Sequence, residues 1–335
     1  MTGKPAAGLV FSPAALAERF FPPARMAGLR EHVRVPPGPV LEEYDSERAR
    51  RVLAEAAVLI TGWGAPRLTP AVLDAAPRLT HVIHTAGSVR GIADEEVFAR
   101  GIEVSSQAEA NAVPVAEYTL AMILLANKDV FRMARSFVHD RRAPDIRQTL
   151  ATRGNYGQTV GVIGASAIGR RLLSLLRPFD LRVLLHDPTL DPSGAAALGA
   201  RHADLDTLMA ESDVVTVHAP ALPETRHLLD ARRLALMRPG ATLINTARAS
   251  LVDRQALIGE LSTGRITAIL DVPDIRGADD PLFRLPNALL TPHLAGSVGT
   301  ELDRLAENAL DEVARAAAGR PLARLVDPAT HRLRA

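Results

Sequence analysis

Short apolar runs recur along the chain at residues 58–61, 81–84, 160–163, 182–185, 214–218, 242–245, 267–270 and 288–290. Many are apolar on both faces, and stretches with helical periodicity separate them. This alternation predicts an α/β architecture: parallel sheets whose two sides are both covered by helices. The stretch 114–126 reads as a buried helix entered through Pro114, because a proline in a first turn gives up no helical hydrogen bond. The arginine-rich stretch 132–155 reads as a crossing of the surface before the next strand begins. Thr300 and Asp303 read as the cap of a last helix with Leu302, Leu305, Leu310 and Val313 on its apolar side, ended by Gly319 and Pro321.

A chain of 335 residues exceeds what one core usually organises, so two domains are expected. One α/β unit ends near residue 112, a second runs to about residue 300, and the terminal helix returns to the first. With 47% hydrophobic but only 4% aromatic residues, the cores are built from Leu, Val, Ile and Ala. Lys plus Arg number 39 against 38 for Asp plus Glu, which leaves no excess charge to draw the protein to nucleic acid or an anionic membrane. The absence of cysteine excludes a disulfide scaffold, thiol catalysis and thiolate zinc sites. No His and carboxylate spacing suggests another metal site. Pro13 and Glu18 interrupt anything resembling a signal-peptide core, and the apolar run 114–126 is too short to span a bilayer. A soluble, cytoplasmic protein is the expectation.

Chemistry concentrates first in TVGVIGASAIGRRLLSLLRPFDLRVLLHD, residues 159–187. It reads as strand, tight turn, helix and second strand ending in an acid, the layout of a dinucleotide site. Gly164 lets the chain turn sharply, Gly169 lets the helix approach the sheet, and Ala167 and Ile168 open the helix that faces a pyrophosphate. Ser166 stands where a second glycine normally lets the backbone near the phosphate; its hydroxyl must point aside or bond the phosphate. Asp187 follows Gly169 by 18 residues, placed to accept from a ribose diol and to repel a 2′-phosphate, which favours NAD over NADP. A structural βαβ unit with no ligand is the alternative.

The segments SDVVTVHAPALPETRHLL, LMRPGATLINTARASLVD and LPNALLTPHLAGS, at 212–229, 236–253 and 285–297, extend the pattern. With them the chain resembles the D-isomer-specific 2-hydroxyacid dehydrogenases from residue 84 to 318 at least. The resemblance implies two Rossmann-like domains with parallel sheets: a substrate domain in two segments, 1–112 and 301–335, and an inserted NAD-binding domain, 113–300. It also implies a homodimer and reversible hydride transfer between NAD(H) and a small 2-keto or 2-hydroxy acid of the D series.

Carried onto matching positions, the resemblance makes Arg248 the group that binds the substrate carboxylate and the reacting oxygen, a task suited to its planar fork. It makes His293 the acid/base, since imidazole passes protons in both directions near neutrality. His218, Ala219, Pro220, Thr246, Ala247 and Asp271 fall at cofactor positions, with Asn111 and Glu117 at an interdomain helix entrance. Ala86, Gly87 and Ser88 form the loop whose backbone N–H groups hold a substrate carboxylate. Arg90 either receives a second anionic group or faces solvent, and Trp63 either closes over substrate or packs.

One expected residue is missing. The family glutamate that pairs with the histidine should lie in DVPDIRGADDPLF, but this segment is about two residues short and Arg276 occupies the position. Asp274, or else Asp279 or Asp280, replaces it, or His293 has no acid partner, in which case reduction shifts to lower pH. Two other functions stay open: phosphite or formate oxidation on the same scaffold, and a non-catalytic NAD(H)-sensing interaction protein.

Overall fold

The computed structural model describes residues 3–330. Contacts divide the chain into two compact units, Met1–Asn111 with Ser297–Ala335, and Ala112–Gly296, so the second is inserted within the first. The protein is a two-domain α/β molecule.

The first unit carries a parallel sheet of β1 (Ala7–Val10), β2 (Val58–Thr61), β3 (His81–His84) and β4 (Glu103–Ser105), in that order. Alternate side chains feed two layers. Leu59 and Val82 pack with Leu53, Leu73 and Val97 on one face, whereas Ile60 and Ile83 pack with Phe11, Phe20, Leu29 and Leu305 on the other. The Glu301–Ala317 helix belongs to the second layer through Leu302, Leu305, Ala309 and Val313. Its fully buried Glu312 accepts from the Ala323 N–H at 3.1 Å and the Arg324 guanidinium at 2.9 Å, and Val326 then donates to Val104 of β4 at 2.7 Å. The last described segment is thereby tied back to the sheet edge.

The second unit carries seven parallel strands: β5 (Thr159–Ile163), β6 (Arg182–His186), β7 (Arg201–His202), β8 (Val214–Val217), β9 (Thr242–Asn245), β10 (Thr267–Leu270) and β11 (Ala288–Leu290). Their spatial order is β11-β10-β9-β8-β5-β6-β7. The order reverses between β8 and β5, and ligands of doubly wound sheets sit at the carboxyl ends of the strands at such a reversal. Val162, Leu172, Leu176 and Ile244 form one covering core, while Val215, Leu243, Leu257 and Ala268 form the other.

Two expectations are corrected. The predicted 114–126 helix runs from Ala108 to Asn127 with Pro114 inside it. Pro114 is the seventh residue, so its missing N–H removes one early hydrogen bond and the Ala- and Leu-rich sequence around it restores the helix. The surface crossing at 132–155 is made largely by helices Val130–Asp140 and Ile146–Thr149, neither with a buried residue, because Val130, Phe131, Ala134, Phe137 and Val138 recur at helical spacing between the arginines. Thr300 makes no capping bond. Glu301 instead accepts from the Val298 N–H at 2.9 Å, and Asp303 is drawn to Arg25 at 3.1 Å.

Candidate active site

Because the seven strands are parallel, the residues that follow them emerge along one edge. Gly164 follows β5, Asp187 β6, His218 β8, Thr246 to Arg248 β9, Asp271 β10, and Thr291 to His293 β11. This edge gathers the inserted unit's candidates from six separate strand ends.

The glycine turn is closely built. Gly164 has φ +96°, and a Cβ there would lie 2.7 Å from the Ala219 nitrogen and 2.8 Å from the His218 carbonyl carbon. Any side chain at 164 would push β5 and β8 apart where the strand order reverses. A Cβ on Gly169 would lie 2.1 Å from the Gly164 oxygen, so helix Ala167–Leu176 can start against the turn only with glycine there. Ser166 turns its hydroxyl onto the Gly169 N–H at 3.4 Å as the helix cap. The first-turn N–H groups of Ala167 and Ile168 have no partner within the helix, the arrangement that receives a phosphate.

Asp187 closes the nucleotide side. Its carboxylate accepts from the Ala165 N–H at 2.7 Å, and from the Thr189 N–H and hydroxyl at 2.8 and 2.6 Å. Burial acts to raise its pKa, but the Thr189 hydroxyl, the Ala165 and Thr189 N–H groups and the Arg170 charge together hold it below the ordinary range. An ionised carboxylate with three bonds retains capacity to accept from a diol. The donor set and the tight turn at Gly164 both fit a dinucleotide.

His218 lies beneath this turn. Its ring is buried with Nε2 at 2.9 Å from the Thr216 hydroxyl, and Nδ1 has no hydrogen-bond partner among the described residues. Burial lowers its pKa to about 3, which makes it neutral and unfit as a proton donor near neutrality. Ala219 and Pro220 continue from it along the same edge.

The Arg248 loop is shaped by Asn245, a residue the sequence reading passed over. Its amide donates to the Arg248 carbonyl at 2.9 Å while its oxygen accepts from the Ala247 N–H at 3.0 Å. Asn245 is buried, so both halves of its carboxamide must be satisfied locally, and they are satisfied by folding the loop around it. Arg248 itself is exposed, with Nη1 2.7 Å from the Ala247 carbonyl. A polar residue closing the apolar strand TLIN was the available signal.

His293 has φ +57°, in the left-handed region, and is exposed. Buried Asp271 fixes this backbone: its carbonyl accepts from the His293 N–H at 2.9 Å, and its carboxylate accepts from the Thr291 hydroxyl at 2.6 Å and the Leu294 and Ala295 N–H groups at 2.9 Å. Asp271 thus grips both flanks of the histidine. Among the described residues, no carboxylate pairs with the His293 ring.

The short loop uses its acids elsewhere. Asp274 lies 3.0 Å from Arg276 and 3.8 Å from Arg254. Asp280 has a fully buried side chain and accepts from Arg254 at 2.6 Å, the Arg276 N–H at 2.7 Å and the Leu282 N–H at 3.0 Å. Asp279 lies 3.3 Å from Arg284. All three acids expected as alternatives at this loop are paired with arginine.

In the first unit the loops after β2 and β3 carry the remaining candidates. Trp63 meets Phe20 edge-on at 5.7 Å and is partly exposed. Ala86 and Gly87 are buried, whereas Ser88 and Arg90 are half-buried. Buried His84 joins these loops, with Nδ1 2.9 Å from the Thr61 hydroxyl and its ring also bonded to the Ser88 backbone. Burial lowers its pKa to about 4, the Ser88 contact notwithstanding. Asn111 accepts from the Ser297 N–H at 2.9 Å, and Glu117 is exposed. Among the described residues, no group of three or more His, Asp or Glu gathers as a metal site, and no helix is long and apolar enough to cross a membrane.

The sequence pattern of the D-isomer specific 2-hydroxyacid dehydrogenase NAD binding domain matches residues 120–295, more than half of the chain. D-3-phosphoglycerate dehydrogenase of Mycobacterium bovis is 32% identical over 299 residues, covering 89% of this chain and 55% of that protein. The chain spans about half the length of the mycobacterial relatives it matches. A 2-hydroxyacid dehydrogenase homolog of Haemophilus influenzae is 33% identical over 244 residues, covering 68% of this chain and 72% of that one. Among solved structures, the TT0316 protein of Thermus thermophilus superposes with a TM-score of 0.73 at 28% identity, covering 96% of this chain and all of the other. The NAD-complexed D-isomer specific 2-hydroxyacid dehydrogenase of Lactobacillus delbrueckii reaches 0.78 at 19% identity, covering 96% of this chain and all of the other, a likeness of fold alone. The chain therefore belongs to the D-isomer specific 2-hydroxyacid dehydrogenase family, and its inserted unit is that family's NAD-binding domain.

Proposed function

We propose that the protein reduces a small 2-keto acid to the D-2-hydroxy acid, reversibly and with NAD(H). The observation that carries this reading is the shared strand edge, where Arg248 and His293 emerge from the same parallel sheet as the dinucleotide turn. Bound NADH supplies the hydride. Arg248 binds the carboxylate and the carbonyl oxygen, and its charge stabilises the alkoxide as that oxygen gains electron density. His293 delivers the proton to that oxygen, or removes it in the oxidative direction.

The loop Ala86–Ser88, with Trp63 and Arg90, is assigned to substrate. His293 works without a carboxylate on its ring, because Asp274, Asp279 and Asp280 are each engaged by arginine. We also assign the protein a homodimeric state, supported by helix Val130–Asp140, none of whose residues is buried, and by exposed Phe137, Val138, Ile146 and Tyr156.

The test is NADH oxidation over glyoxylate, hydroxypyruvate, pyruvate, phenylpyruvate and dicarboxylic keto acids. One or more should turn over, and R248A and H293A should each lower kcat/KM by roughly 10²–10⁴. Reduction of NAD+ by formate or phosphite, with every keto acid inert, would replace this reading. NADH binding without turnover of any of these compounds would leave a sensing protein.

A further inference from the structure

Two adjacent hydroxyls on the Ala108–Asn127 helix reach two different loops of the inserted unit. The Tyr118 hydroxyl lies 2.9 Å from the Thr291 hydroxyl, two residues before His293. The Thr119 hydroxyl lies 3.3 Å from the Thr246 hydroxyl, two residues before Arg248. The direction of each bond follows from its neighbours. Thr291 gives its proton to Asp271 at 2.6 Å, so it can only accept from Tyr118. Thr119 gives its proton to the Val115 carbonyl at 2.7 Å, so it accepts from Thr246.

Each hydroxyl therefore extends a directed chain. Tyr118 donates to Thr291 and Thr291 to the Asp271 carboxylate, which also holds the Leu294 and Ala295 N–H groups on the far side of His293. Thr246 donates to Thr119 and Thr119 to its own helix backbone, at a site where Thr119 and Thr246 are both buried. Buried polar groups that complete one another in this way hold one geometry, because breaking any link strands a donor or acceptor.

We infer that Tyr118 and Thr119 are positioning residues that set the spacing of His293 and Arg248 from a single helical turn. This rests on the roles proposed above for Arg248 and His293. The helix supplies from the backbone the order that a carboxylate on the His293 ring would otherwise supply from the side chain. Catalysis is sensitive to such placement, since a shift of about 1 Å costs on the order of 100-fold in rate.

The experiment compares Y118F and T119V with the native protein, using T291V and T291S as partners on the other side of the first contact. Y118F, T119V and T291V each remove one hydroxyl and little volume, whereas T291S keeps the hydroxyl and loses only the methyl. Y118F and T291V should lower kcat about tenfold or more, a partial displacement on the scale of placement effects, with keto-acid KM nearly constant. T291S should retain the native rate. T119V should raise keto-acid KM as well as lower kcat, because the displaced group binds the substrate carboxylate. The dissociation constant of NADH, read by its fluorescence, should not change in any variant. Independently of turnover, amide hydrogen exchange at Leu294 and Ala295 should speed up in Y118F and T291V but not in T119V.

Unchanged exchange in Y118F overturns the inference, as does faster exchange with native kcat, which would make the hydroxyl structural only. Equal losses in T291S and T291V also overturn it. A native protein that turns over no keto acid defeats the functional reading, and the catalytic role drawn here falls with it. That case is told apart because the exchange pattern would still be present without any activity.

Discussion

Arg276 holds Asp274, with Nη2 3.0 Å and Nε 3.3 Å from the same carboxylate oxygen. Arg276, proposed to stand where the family carries an acid, is thus paired with the nearest alternative acid. Asp274 is therefore expected to be dispensable for proton transfer: D274N should leave the pH profile of keto-acid reduction unchanged. R276E removes the competing cation and offers a carboxylate. Because an anion near imidazole favours its protonated form, the alkaline limb of the reduction profile should move upward by about one pH unit. A D274N profile displaced to lower pH would restore Asp274 as the partner of His293.

Asp187 is proposed to govern cofactor choice through a charge that the Thr189 and Ala165 bonds maintain. A 2′-phosphate would meet that charge, so titration calorimetry should give tighter binding for NADH than for NADPH. D187A should narrow the gap, mainly by weakening NADH binding, since it removes the acceptor for the ribose. Equal affinities in the native protein would sink the assignment.

How far the sequence could be read depends on which interactions were local. Eight strands were legible because their β-branched and leucine-rich runs face helices on both sides. β1 was not, because AGLV offers little β-branched signal; its Gly8 is placed where a Cβ would come within 2.9 Å of Leu59. β7 has two residues and no pattern to read. Gly164 and Asp187 were expected from the glycine motif and Arg248 and His293 from the family resemblance, and all four follow strand ends of the inserted unit, their roles being those proposed above. Tyr118 and Thr119 were not legible, since their partners lie 173 and 127 residues away and periodicity reports a buried face without saying what lies across it. The pairing of Asp274 with Arg276 was equally hidden, because loop sequence does not determine which of several acids an arginine takes.

His84 and His218 make a prediction about acid stability. Both are neutral in the fold, with pKa values lowered by burial from 6.5 to about 4 and about 3. The unfolded chain takes up these protons as pH falls below 6.5, whereas the native chain does not. Stability is therefore lost with falling pH, from 6.5 down to about 4 for His84 and about 3 for His218. Each histidine contributes a slope of about 1.4 kcal/mol per pH unit within its window. Urea unfolding at pH 7.0, 6.0 and 5.0, taken as approximate set points, should show the decline. H218N should remove about half of the part due to these two residues, and a native midpoint that stays constant over this range would disprove the burial argument.

Helix Val130–Asp140 places Phe137 and Val138 at 55% and 75% exposure, and Ile146 and Tyr156 follow at 60% and 84%. Four large apolar side chains within 20 residues are costly to leave in water, at about 25 cal/mol for each Å² that a partner would cover. The proposed homodimer should bury this stripe. Light scattering on the native protein is expected to give twice the chain mass of 35.8 kDa, and F137E with V138E should yield monomer. The substitutions lie on residues that no core needs, so the fold and NADH binding should persist in the monomer. A variant that remains dimeric would move the interface to another face, and a native monomer would remove the homodimer altogether.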